Sequence, residues 1–101
     1  MAEWISAGKA DSILEGYPKI ITHKHLEIAI FLVGDDYFAL RNFCPHRGGP
    51  IAEGIISGNL VTCPYHDWTF EISTGECTLN PAACIQKFAI RLTGEEIEVE
   101  V

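Results

Sequence analysis

The sequence has no run of about 20 apolar residues, which excludes a spanning helix, so no membrane association is expected. The opening Met1-Ala2-Glu3-Trp4-Ile5 lacks the basic leader of a secretory signal, and the expectation is therefore a cytoplasmic protein. Positive charge is scarce: 7 Lys and Arg stand against 14 Asp and Glu, for a formal net charge of −7. Such a balance disfavours nucleic acid and anionic lipid, and suits docking on a protein with a basic patch. No window long enough to carry a helical period shows one, and there is no repeat, linker or low-complexity segment.

What is present is short-strand patterning. At 101 residues and 48% hydrophobic, with many β-branched residues, the chain is large enough for one core, a single domain over 1–101. Trp4-Ile5 and Ile20-Ile21 predict short strands around a polar loop. His23, Leu26, Ile28, Ile30 and Leu32 suggest one strand, turned at Gly34-Asp35-Asp36 into a hairpin partner over Tyr37–Arg41. Ile51–Gly54 is read as irregular. Ile55-Ile56 and Leu60–Thr62 flank a turn at Ser57-Gly58-Asn59, and Trp68, Phe70 and Ile72 alternate along the next strand. Turns follow at Ser73–Glu76 and Asn80–Ala83. Phe88, Ile90 and Leu92 predict another strand. Ile97, Val99 and Val101 alternate with Glu96, Glu98 and Glu100, read as the solvated face of an edge strand. The fold class is all-β, a small antiparallel sandwich or barrel.

Two loops carry the chemistry: Cys44-Pro45-His46-Arg47-Gly48-Gly49 and Cys63-Pro64-Tyr65-His66-Asp67-Trp68, residues 44–49 and 63–68. Each offers one thiol and one imidazole. Four such ligands in two matched pairs suit a metal centre, whereas a nucleophilic Cys/His site needs only one of each. Residues two apart in an extended loop point the same way, about 6.5 Å apart at their Cα atoms, so Cys44 and His46 share a side. Pro45 and Pro64 stiffen the loops. Gly48 and Gly49 leave room for backbone N–H groups to approach a cofactor. Cys77 and Cys84 read as small buried hydrophobes in a reducing compartment, with a disulfide as the alternative. His23 and His25 read as ordinary surface residues.

The spacing C-x-H…C-x-x-H, with a proline after each cysteine, resembles the Rieske [2Fe–2S] motif, and the flanking strand pattern extends the likeness from about residue 25 onward. That resemblance implies a Rieske-type β-fold with both loops at one end and one [2Fe–2S] cluster as cofactor. Cys44 and Cys63 would hold the inner iron, and His46 and His66 the outer one. Neutral imidazoles leave the oxidised centre uncharged, which raises its potential into a range of roughly −150 to +300 mV. High-potential members join an extra cysteine from each loop in a disulfide. Here Gly49 and Tyr65 occupy those positions, and Trp68 and Phe70 replace the serine and tyrosine hydroxyls that bond to sulfur. A potential at the low end, near about −150 mV, is expected. Zinc is the remote alternative, a structural module, disfavoured because each loop mixes Cys with His.

The resemblance further implies an electron carrier without catalysis of its own. The runs around 44–58 and 63–76 are similar both to ferredoxins that link a flavin reductase to a terminal aromatic-ring dioxygenase and to the small subunit of NAD(P)H-dependent nitrite reductase, whose partner is the large subunit. Docking is expected at the cluster tip through Arg47 and Pro50, with Tyr65 and Trp68 nearby, although core packing is the favoured role for Trp68.

Overall fold

The computed structural model describes residues 3–44, 49–64, 68–80 and 82–101. In chain order the strands are β1 (Trp4–Lys9), β2 (Lys19–His23), β3 (Leu26–Val33), β4 (Asp36–Arg41), β5 (Ile55–Ser57), β6 (Leu60–Thr62), β7 (Thr69–Glu71), β8 (Lys87–Phe88), β9 (Ile90–Thr93) and β10 (Glu96–Glu100). They form three antiparallel sheets, ordered β1-β10-β9, β2-β3-β4-β8 and β5-β6-β7. Among the described residues no helix is long and apolar enough to cross a membrane.

The sheet β2-β3-β4-β8 is the middle layer, because successive β3 residues point to opposite faces and both faces are covered. Ile28 and Ile30, with Ala39 and Phe88 in register beside Ile30, pack on Ile97, Val99, Ala7 and Ile13. Ala29, Phe31 and Leu40 face the other way, onto Cys44, Ile51, Val61, Cys63, Phe70, Ile72, Cys77 and Ile85. The run Ile28–Phe31 is therefore buried without interruption.

Everything between Arg41 and Lys87 leaves and re-enters the middle sheet through neighbouring strands, with Leu40 opposite Lys87 and the Arg41 N–H donating to the Gln86 carbonyl at 2.8 Å. This excursion carries β5, β6 and β7. Gly54, which opens it onto β5, lies against the Thr62 carbonyl so closely that a Cβ would overlap the oxygen. Asn59 ties the β5–β6 turn to the end of β7, accepting from the Ser73 N–H at 3.0 Å and donating to its Oγ at 3.0 Å.

Several expectations are corrected. The strand drawn through His23 begins at Leu26; His23 closes β2, and Lys24-His25 make the turn, with Lys24 at φ 57°. Ile51–Glu53 is a turn of 3₁₀ helix. The strand through Trp68 and Ile72 is confined to Thr69–Glu71. Phe88, Ile90 and Leu92 do not share one strand, because the chain crosses between sheets at Ala89: Phe88 pairs with Ala39, Ile90 with Val99, and Leu92 is exposed. The acidic last strand is not an edge. It lies between β1 and β9, where its glutamates find partners on adjacent strands: Arg91 Nε donates to Glu98 Oε1 at 2.8 Å, and Ser6 Oγ to Glu96 Oε2 at 3.2 Å.

Candidate metal centre

Strand β4 delivers Asn42, Phe43 and then Cys44; strand β6 delivers Cys63. Both thiol residues are buried and belong to the same apolar core. Each also opens a loop closed in the same manner. The Cys44 N–H donates to the Gly49 carbonyl at 2.8 Å, and the Cys63 N–H to the Trp68 carbonyl at 2.7 Å, in both cases five residues ahead. The two loops thus have their ends joined alike, and both cysteines are rooted in one wall of hydrophobic side chains.

Their outer closures differ. The second loop lies between strands that already pair: Thr62 stands opposite Thr69, with their hydroxyl oxygens 3.1 Å apart. The first loop has a strand on one side and the 3₁₀ turn Ile51–Glu53 on the other. There the Asn42 side chain makes the closure, its Oδ1 accepting the Ala52 N–H at 2.8 Å. Asn42 is the buried polar residue among the described ones, and its Nδ2 donates to Glu27 Oε1 at 3.2 Å. Reading the sequence missed it. The signal was a lone amide immediately before the aromatic residue that precedes the first motif cysteine.

Of the remaining expectations, His46 and His66 lie outside the described residues, as do Pro45, Arg47, Gly48, Tyr65 and Asp67. Trp68 is half-buried and packs against the core holding both cysteines, with its ring centroid 6.5 Å from that of Phe70, which agrees with a packing role. Pro50 is half-buried beside Phe43, whose exposed ring lies 4.8 Å beneath the Arg41 guanidinium. Phe43 is a second residue that sequence reading passed over. Among the described residues, which include all four cysteines, no disulfide forms. Cys77 is buried as expected, but Cys84 is exposed, because it stands opposite exposed Glu76 on one face while their neighbours Cys77 and Ile85 turn inward. His25 is exposed, and His23 Nε2 lies 3.5 Å from Glu3 Oε1. Among the described residues no three His, Cys, Asp or Glu side chains come together as a cation site.

The donor chemistry fits an iron–sulfur group. Soft thiols buried in an apolar wall, on loops pinned by backbone hydrogen bonds, are what such a centre takes from its protein. Fold and loops together therefore define an all-β metal-binding domain of the electron-transfer kind. The chain belongs to the Rieske [2Fe–2S] domain family, whose model matches residues 3–89, and its cofactor is one Rieske-type [2Fe–2S] cluster. It is 30% identical over 102 aligned positions to the anthranilate 1,2-dioxygenase ferredoxin subunit of Burkholderia cepacia, covering 100% of this chain and 94% of that one. Among solved structures, the ferredoxin of Sphingomonas yanoikuyae B1 superposes with a TM-score of 0.89 at 20% identity, covering 98% of this chain and 99% of the other. A putative NADH-dependent nitrite reductase small subunit from Mycobacterium tuberculosis superposes with a TM-score of 0.88 at 22% identity, covering 100% and 96%.

Proposed function

We propose that the chain is a low-potential ferredoxin, a one-electron carrier passing electrons from a flavin reductase to a terminal oxygenase. The observation that carries this reading is the pair of buried thiols, Cys44 and Cys63, opening twin loops on one core wall in a chain that aligns end to end with a dioxygenase ferredoxin subunit. Cys44 and Cys63 hold the inner iron, His46 and His66 the outer iron, and the whole of 1–101 is one domain. When bound, the cluster supplies reversible storage of one electron. The chain's own part is to hold the two thiolates in a dry wall, through which the uncharged oxidised centre gains an electron at modest cost. No substrate chemistry is assigned to the isolated chain, and its place is the cytoplasm.

Arg47 is the docking residue to test at the tip, and Arg47→Glu is expected to slow electron delivery while leaving the cluster in place. The second reading is the small subunit of an NAD(P)H-dependent nitrite reductase, favoured by the run from Cys44 to Gly58 and by Asn80-Pro81-Ala82-Ala83-Cys84 ahead of a strand.

The deciding experiment is anaerobic purification with iron and acid-labile sulfide counted per chain, followed by EPR of the reduced protein. Two irons, two sulfides and a mixed nitrogen/sulfur spectrum uphold the assignment; a colourless protein holding one zinc overturns it. Replacing both His46 and His66 by alanine should abolish the visible absorption. Reduction of a terminal oxygenase, against reduction of a nitrite reductase large subunit, separates the two readings.

A further inference from the structure

The two cysteine loops are closed by different means, and the difference singles out one side chain. The second loop lies inside a strand ladder, so backbone pairing of β6 with β7 holds its ends together. The first loop has no such ladder, because the segment that follows it turns into a 3₁₀ helix over Ile51–Glu53. The residue capping that helix is Pro50, which makes no side-chain cap bond, so the first N–H groups of the turn need an acceptor from elsewhere. The Ala52 N–H finds Asn42 Oδ1, ten residues back, at 2.8 Å.

Asn42 is itself doubly anchored. Its backbone N–H donates to the Glu27 carbonyl at 2.8 Å, and its Nδ2 donates to Glu27 Oε1 at 3.2 Å. A buried amide keeps its place only when its donors and acceptors are met, and here β3 supplies one partner and the far end of the loop the other.

We propose that Asn42 is the positioning residue of the first iron-binding loop, a clip that joins the two ends of residues 43–51 to each other and to β3, so that the Cys44 thiol is already in place when iron arrives. This rests on the reading of Cys44 as an iron ligand. Asn42 touches no iron; it acts through the loop, whose inner closure is the Cys44 N–H bond to Gly49.

The test uses the full-length, cluster-loaded chain in three forms: Asn42→Leu, Asn42→Asp, and Asn42→Asp combined with Glu27→Gln. The rate of cluster release to an iron chelator is read from the visible absorption, and the EPR g-values of the reduced state are read alongside. Asn42→Leu removes both side-chain bonds, to the Ala52 N–H and to Glu27, and should release its cluster at least about tenfold faster, with displaced g-values; tenfold corresponds to the net loss of about one hydrogen bond. In Asn42→Asp the new carboxylate faces Glu27 and should act likewise. In the double variant an amide again faces a carboxylate, the Ala52 bond is retained, and release should return to within about twofold of the parent. Parental release rates and g-values in Asn42→Leu, whatever its melting temperature, overturn the proposal, and so does failure of the double variant to recover.

If the parent chain takes up no iron, the ligand reading fails separately. Amide exchange at Cys44 in the iron-free chain then decides the clip: faster exchange in Asn42→Leu upholds it, and unchanged exchange overturns it.

Discussion

Gly54 and the carbonyl of Thr62 occupy space that admits no side chain between them: a Cβ on Gly54 would overlap the Thr62 oxygen. Thr62 is the last residue of β6, and Cys63 follows it. Backbone conformation is not the obstacle, since Gly54 has φ −77°, a value open to any residue. Gly54→Ala should therefore act through crowding alone, at a cost of about 1–3 kcal/mol. For a domain of this length that lowers the melting temperature by roughly 4–8 °C per kcal/mol. Because the displaced backbone leads to Cys63, iron content per chain should fall as well; calorimetry with iron assay reads both. Unchanged melting and iron content would show that the Thr62 carbonyl moves aside without cost.

The middle sheet makes a second prediction. Leu40 is buried on the face of β4 that meets the cysteine core, and its Cδ2 lies 3.5 Å from the position of a Gly75 Cβ. Leu40→Ala should cost about 2–5 kcal/mol, read from denaturant midpoints with the slope unchanged. Ile28→Val, on the opposite face of the neighbouring strand, should cost about 0.5–1.5 kcal/mol and leave the cluster spectrum unaltered.

Glu98 adds a small pH-dependent contribution to the sheet β1-β10-β9. Its hydrogen bond from Arg91, then that from Thr93, hold its carboxyl below the ordinary glutamate value. A carboxyl depressed in the folded state adds stability above its unfolded pKa, and loses that stability as pH falls through the folded value. The same guanidinium lies 4.0 Å over the Trp4 ring, so β1 shares in the arrangement. Glu98→Gln should lower the melting temperature slightly at neutral pH and narrow the gap to the parent on acidification below the ordinary carboxylate range. A constant gap across that range would exclude Glu98 as the source.

The midpoint potential follows from what surrounds the sulfurs. Phe70 is wholly buried in the cysteine core and Trp68 packs beside it; neither brings a hydroxyl. With no hydroxyl from either position to stabilise the added electron, the potential should fall near about −150 mV in a protein-film or dye-mediated titration. A value above about +100 mV would overturn the low-potential expectation.

How far the sequence disclosed this molecule depended on whether the deciding contact was local. The hairpin from β3 to β4 was legible because Gly34-Asp35-Asp36 separates two alternating runs, and the paired loops because Cys and His recur in them at short spacing. The position of β10 was not, since its neighbour β1 comes from the other end of the chain, with Trp4 opposite Glu100. Nor was the break at Ala89, because an apolar residue at every second position looks the same whether the strand stays in one sheet or crosses to another. Asn42 escaped notice for a related reason: Glu27 and Ala52, the groups it joins, are distant in sequence.

The return of the chain beside its own point of departure, Leu40 next to Lys87, makes residues 42–86 a cassette on a two-stranded doorstep. Exchanging that cassette between carriers of this family should transplant the potential along with it, while the recipient keeps its scaffold. Ala29, Phe31 and Leu40, which floor the cassette from below, are the side chains such a graft would have to match.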